Sequence, residues 1–247
     1  SGGPISRIER FERSESARRM LGQTKSTISF DDIVNSNKIL ICNFSKGRLG
    51  EDTSTLFGTT VLAKLQLAAY RRDNIPESKR VPFYLYVDEF QNFASEHFMA
   101  LFSEARKYKL FLTMAQQSVA QLKEKDMVTN ILDNVGTLIV FRSKSPDTER
   151  LVLHQLKPYV EEGQIANLPA YHFYMKVAAV EPQEPLTGET LLPDTKGSEA
   201  RANEVTQASR KLYGREWVEE EKPTKDTKRS NKTGSPVNTI EGGKLPR

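Results

Sequence analysis

The chain has 247 residues, with 36 Lys and Arg against 32 Asp and Glu. That length accommodates one substantial α/β core with chain to spare, and a net charge of +4 excludes binding of nucleic acid by bulk charge alone, although a local basic groove would not register in it. The single cysteine, Cys42, excludes an internal disulfide and a cysteine metal cluster, and its place in ILICNF predicts a buried, reduced thiol.

His97, His154 and His172 lie far apart, without metal-ligand spacing. No apolar run approaches the roughly 20 residues of a membrane-spanning helix. The opening SGGPISRIERFERSE has no signal-peptide core. The expectation is a soluble, cytoplasmic chain.

Residues 1–28 mix Arg and Glu at helical spacing and predict a peripheral helical segment. KILICNFS, residues 38–45, predicts a buried strand with Ser45–Arg48 as its exit loop. From Asp52 to Asp73, Leu56, Phe57, Val61, Leu65 and Ala68 form the stripe of a long helix, with Asp52 or Thr53 as its cap and Pro76 beyond its end. FYLYVDEFQNF, 83–93, is a second strand that ends abruptly in two acids, Asp88 and Glu89. Ser95 caps a helix to Lys107. Strands follow at 109–116, 136–142 and 171–179, and Ser145-Pro146 opens a helix between the last two. Strand and helix alternate, which predicts a mainly parallel sheet covered by helices on both faces over residues 29–193. Residues 194–247 hold three of the four net positive charges and little apolar area. They predict a polar, largely disordered tail with a helical pattern only at 202–217.

Two carboxylates at the end of a core strand are costly unless they are solvated, hydrogen-bonded or facing a cation. In nucleotide-hydrolysing α/β proteins that position is where an Asp meets Mg²⁺ and the next acid polarises the attacking water. The alternative is a strand capped by two surface acids. A phosphate loop, GxxxxGK followed by Ser or Thr, is not found; Lys46-Gly47 and Gly243-Lys244 lack its spacing. Besides the acids, the strand-end loops carry Ser45–Arg48, Gln116-Gln117 and Arg142. A glutamine there, Gln117, can sense a γ-phosphate or position the water, and Arg142 offers a permanent cation for transition-state charge; the alternatives are plain polar exit chemistry for the glutamine and a surface ion pair for the arginine.

YLYVDEFQNF, LFSEARKYKLFLTMAQQSVAQL and NVGTLIVFR resemble the FtsK/HerA superfamily of DNA-translocating ATPases. The likeness is strongest to type IV secretion coupling proteins of conjugative DNA transfer. KILICNFSKGRLGEDTSTLFG and NLPAYHFYMKV share it, and together the resemblance spans roughly residues 20–192. It implies the C-terminal portion of a RecA-like P-loop domain that assembles as a homo-oligomeric ring and threads DNA using ATP and Mg²⁺. Asp88 and Glu89 become the Walker B pair, Gln117 the strand-end glutamine, and Arg142 the arginine-finger candidate. Lys46, Arg48, Arg106, Lys107 and Lys109 are candidate contacts to DNA phosphates. The resemblance further implies a Walker A loop and a membrane anchor at the inner face of the cytoplasmic membrane in a longer parent. On this expectation the chain is a fragment, a truncated reading frame or one piece of a split protein, inactive alone, whose tail meets other secretion or conjugation components. The rival expectation is a degenerate, nucleotide-free RecA-like module that docks such components.

Overall fold

A computed structural model describes residues 14–117, 125–178 and 183–216. Chain contacts divide the molecule after Gly214, and all the elements below belong to the first unit, Ser1–Gly214. The expected disordered tail lies, beyond Glu216, outside the described residues, as do residues 1–13 of the expected N-terminal helix.

Side-chain caps start several helices where the sequence places Ser. Ser14 Oγ accepts from Ala17 N at 3.3 Å to open α1 (Glu15–Leu21), and Ser29 Oγ accepts from Asp32 N at 3.2 Å to open α2 (Phe30–Asn35). A single turn, α3 (Lys46–Leu49), leads into the long α4 (Glu51–Arg71). The cap of α4 is Gly50, not Asp52 or Thr53. Its φ of 77° makes the bend between the two helices, a conformation open to glycine. β1 (Phe83–Val87) connects through α5 (Glu96–Glu104) and a 3-10 turn at Ala105–Tyr108 to β2 (Leu110–Met114). α6 (Lys125–Asn134) precedes β3 (Thr137–Phe141). Ser145 caps α7 (Pro146–Leu156), with the proline in its first turn as the sequence indicates. β4 (His172–Val177), β5 (Leu186–Glu189) and the exposed α8 (Glu199–Tyr213) complete the described elements.

β1 and β2 pair in parallel, Phe83 opposite Leu110 through Val87 opposite Met114, as a βαβ unit. β3, β4 and β5 form a separate antiparallel sheet in that order. The expected single, mainly parallel sheet is therefore corrected. After α7 the chain does not enter β4 directly. The loop 157–171, anchored by buried Val160, Ile165 and Leu168, turns it back so that β4 runs against β3. Alternation of strand and helix does not encode that reversal.

Val87, Leu110 and Val140 point into one core with Leu62 of α4, Phe98 of α5, Ile131 of α6 and Leu156 of α7. Leu65 and Ala68 of α4 enclose Val34 of α2 in a second, smaller cluster. The opposite strand faces are apolar yet open: Tyr84 is 61 % and Tyr86 72 % exposed, and Phe111, Ile139 and Phe141 are exposed with them. Among the described residues helices cover one face, not the two expected. The expected strand at 38–45 is also corrected. It forms no strand, with Ile39 90 % and Ile41 80 % exposed, and Cys42 is exposed rather than buried. Apolar, β-branched residues favour a strand, but a strand needs a partner's N–H and C=O groups, and no described edge supplies them here. Among the described residues no helix is long and apolar enough to cross a membrane.

Arg72 ties this side of the fold together. Fully buried, it donates from Nε to Asn35 Oδ1 at 3.0 Å, from Nη1 to the Tyr108 carbonyl at 2.7 Å, and from Nη2 to the Val34 carbonyl. Burial, and then the nearby charge of Arg80, push its pKa below the ordinary arginine value. Replacing Arg72 by Met leaves buried carbonyls without donors, so urea unfolding of Arg72→Met should show a loss of roughly 3 kcal/mol. Tyr86→Thr, on the open face, should stay within about 0.5 kcal/mol of the parent.

Candidate functional site

The site begins where β1 stops. Ala115 N donates to Val87 O at 2.9 Å, and Phe90 N donates to Ala115 O at 3.0 Å. Asp88 and Glu89 are thereby looped out between two hydrogen bonds to one residue of the neighbouring strand. Glu89 takes up the geometry with φ 50° and ψ 42°, a left-handed conformation that costs a residue with a Cβ about 1 kcal/mol. Beyond it, buried Phe90 packs on Phe98 with ring centroids 5.0 Å apart. Phe93 packs against Phe44, and it fits over α4 because position 58 is glycine, where a Cβ would overlap its ring. Aromatic anchors therefore fix the 3-10 turn Phe90–Asn92 that follows the acids.

Asp88 is exposed, and its Oδ1 accepts from Glu89 N at 2.9 Å. The half-buried Glu89 only accepts. Gln117 Nε2 donates to Oε1 at 2.6 Å, Gln91 Nε2 to Oε2 at 3.0 Å, and Asn92 Nδ2 to Oε2 at 3.4 Å. Amide donors from the ends of two parallel strands thus hold one carboxylate at the sheet edge where α/β proteins place ligands. Lys46, from α3, adds a cation to this group: its Nζ donates to Asn92 Oδ1 at 2.8 Å and lies 3.3 Å from Glu51 Oε1.

Among the described residues no group of three or more His, Cys, Asp or Glu side chains gathers as a metal cage. Asp88 instead offers a solvent-facing carboxylate on a rigid strand end. That suits Mg²⁺, which keeps several of its waters and takes one or two protein carboxylates.

A comparison with protein families places part of this geometry. Residues 82–154 match the family described as the TraM recognition site of TraD and TraG. That segment is related to conjugative coupling proteins. It contains β1, α5, β2, α6 and β3, and with them Asp88, Glu89, Gln117 and Arg142. A solved structure of the genome packaging NTPase B204 from Sulfolobus turreted icosahedral virus 2, in complex with sulfate, is 15 % identical. It covers 77 % of this chain and 94 % of that one, with a TM-score of 0.44. The curated protein sequences contain no match to the chain.

The residues singled out from the sequence separate into three places. Asp88, Glu89, Gln117 and Lys46 come together. Arg142 follows β3 in the other sheet, is exposed, and has no hydrogen bond to the Glu89 group among the described residues. Arg106 and Lys107 lie in the turn before β2, and Lys109, at φ 52°, immediately precedes the strand. Phe83 N donates to Lys109 O at 2.9 Å, so these three cations sit at the start of β1 and β2 while Glu89 sits at the end. Lys46 and Arg48 therefore do not share a patch with them. Sequence reasoning missed Gln91 and Asn92. The two amides follow the Asp-Glu pair beyond Phe90, and only the left-handed turn at Glu89 brings them back to its carboxylate.

Because the turn strains any residue with a Cβ, two variants that both lack the carboxylate should differ. Glu89→Gly is expected to be about 1 kcal/mol more stable than Glu89→Ala in chemical unfolding. Equal stabilities would show that the left-handed turn is not maintained.

Proposed function

We propose that the chain is the Walker B-bearing part of an ATP-driven DNA-translocating motor of coupling-protein type, belonging to a conjugative or type IV secretion system. The observation that carries this reading is the Glu89 carboxylate, cradled by three amide N–H groups at the end of a core strand, inside the segment that matches TraD and TraG. A resemblance to FtsK/HerA motors through YLYVDEFQNF and its neighbours supports it further.

In this reading Asp88 holds Mg²⁺, directly or through water, and the bound ion neutralises phosphate charge. Glu89, fixed in rotamer by Gln117, Gln91 and Asn92, accepts a hydrogen bond from the attacking water and orients it. Gln117, bonded to Glu89 and near the same strand edge, links that carboxylate to the nucleotide's γ-phosphate. Arg142, without a described partner in its own chain, is suited to reach a neighbouring subunit of a ring as an arginine finger. DNA is held through its phosphates by cations such as Arg106, Lys107 and Lys109, so its binding weakens steeply as salt rises. The chain works in the cytoplasm, its longer parent anchored at the inner membrane face. The TraM-recognition description supports a partner of the conjugation apparatus on residues 82–154.

A second reading, a nucleotide-free module that docks conjugation components, is favoured by two observations. The family description is a recognition site, and the sequence contains no GxxxxGK loop. An in-frame phosphate loop in the upstream coding sequence would support the motor; an upstream sequence without one would leave the docking module. For the chain itself, phosphate release from ATP and Mg²⁺ should not exceed that of Glu89→Gln. Release that Glu89→Gln abolishes would overturn the assignment of only half a nucleotide site to these residues.

A further inference from the structure

Lys46 stood out in the sequence as a basic group in an exit loop and a candidate contact to DNA phosphates, yet the fold delivers it to the catalytic candidates. Its Nζ is 2.8 Å from Asn92 Oδ1, and Asn92 Nδ2 is 3.4 Å from Glu89 Oε2. The chemistry of the three groups makes this relay directional. An ammonium can only donate and a carboxylate accepts, while a primary amide has one end for each. With Lys46 on its oxygen, Asn92 must turn its N–H toward Glu89. Without Lys46, water can bond either end and the carboxamide is free to rotate.

We propose that Lys46 is a positioning residue for Glu89, acting through Asn92. The charge-assisted contact to Oδ1 polarises the carboxamide and sharpens the donor aimed at the carboxylate. The second contact of Lys46, 3.3 Å to Glu51 Oε1 in the first turn of α4, is between exposed groups and worth little by itself. It keeps the ammonium close to Asn92. Lys46 belongs to the one-turn α3, and Gly50 with φ 77° joins that turn to α4, so the start of α4 sets where the ammonium sits. Its role in water activation rests on the reading of Glu89 given above, whereas the positioning itself does not.

The test reads the side chains directly, by NMR of the labelled, nucleotide-free chain, with Asn92 assigned through Asn92→Asp. In Lys46→Met the Asn92 Nδ2 hydrogens should exchange with water about tenfold faster, the loss of roughly one charge-assisted hydrogen bond. The Glu89 carboxyl carbon should shift while the backbone signals of β3 and β4 stay unmoved. Lys46→Arg, which keeps a cationic donor, should restore both signals toward the parent. Asn92 and Glu89 signals in Lys46→Met that coincide with the parent's would overturn the proposal and leave the Asp88–Glu89 reading untouched. An upstream sequence without a phosphate loop would remove that reading and leave a positive Lys46 result standing.

Discussion

Two backbone hydrogen bonds to Ala115 decide where the acids of this protein go. The first closes the β1–β2 ladder at Val87, the second reopens it at Phe90, and the two residues between have no ladder to join. A strand that simply continued would send Asp88 and Glu89 to opposite faces of the sheet, one of them toward the core, where an ionised carboxylate is costly. The loop avoids that cost by placing both at the edge. It demands a left-handed residue in return, and the chain fills that place with glutamate rather than glycine. Strain retained at a residue with three side-chain hydrogen bonds is what a functional position looks like on physical grounds.

What holds the loop is packing on either side of it. Phe90 is sealed against Phe98, and Phe93 against Phe44 and the bare backbone of Gly58 in α4. Backbone bonds shape the turn that presents the acids: Asn92 N bonds Glu89 O at 2.9 Å, and Glu89 N bonds Asp88 Oδ1, while the buried Gln91 Oε1 has no partner among the described residues. Gln117 reaches Glu89 because β2 lies in parallel register beside β1, so both strands finish at the same edge. Lys46 arrives from a segment far away in sequence, carried there by the start of α4. The candidate site is therefore assembled from three stretches, and the rigid βαβ unit supplies two of them.

Much of this architecture was legible in the residues. Ser95 and Ser145 mark helix starts because a serine oxygen satisfies an orphan N–H of the first turn, and each does so here. The strands around Leu85, Leu112 and Val140 were legible from apolar runs bounded by polar turns. KILICNFS misled, since composition reports the preference of a segment and not the presence of an edge to pair with. The reversal of β4 was illegible because it is decided by the loop 157–171, whose buried Val160, Ile165 and Leu168 follow no regular period. At the site, Asp88, Glu89 and Gln117 could be picked out by residue type and strand-end position. Gln91 and Asn92 could not, and Lys46 could be picked out only as a contact to DNA, because a left-handed turn and a helix start, neither visible in a pattern, bring them together.

On the proposed reading Asp88 and Glu89 face a divalent cation, with Asp88 holding it, unlike the other acids of the chain. Paramagnetic broadening by Mn²⁺ of the carboxyl carbon signals tests it most directly. Asp88 and Glu89 should broaden at manganese levels that leave exposed acids such as Glu15 and Asp133 sharp, and Asp88→Asn should abolish the selectivity. Uniform broadening of all exposed carboxylates, with no preference for residues 88 and 89, would contradict it.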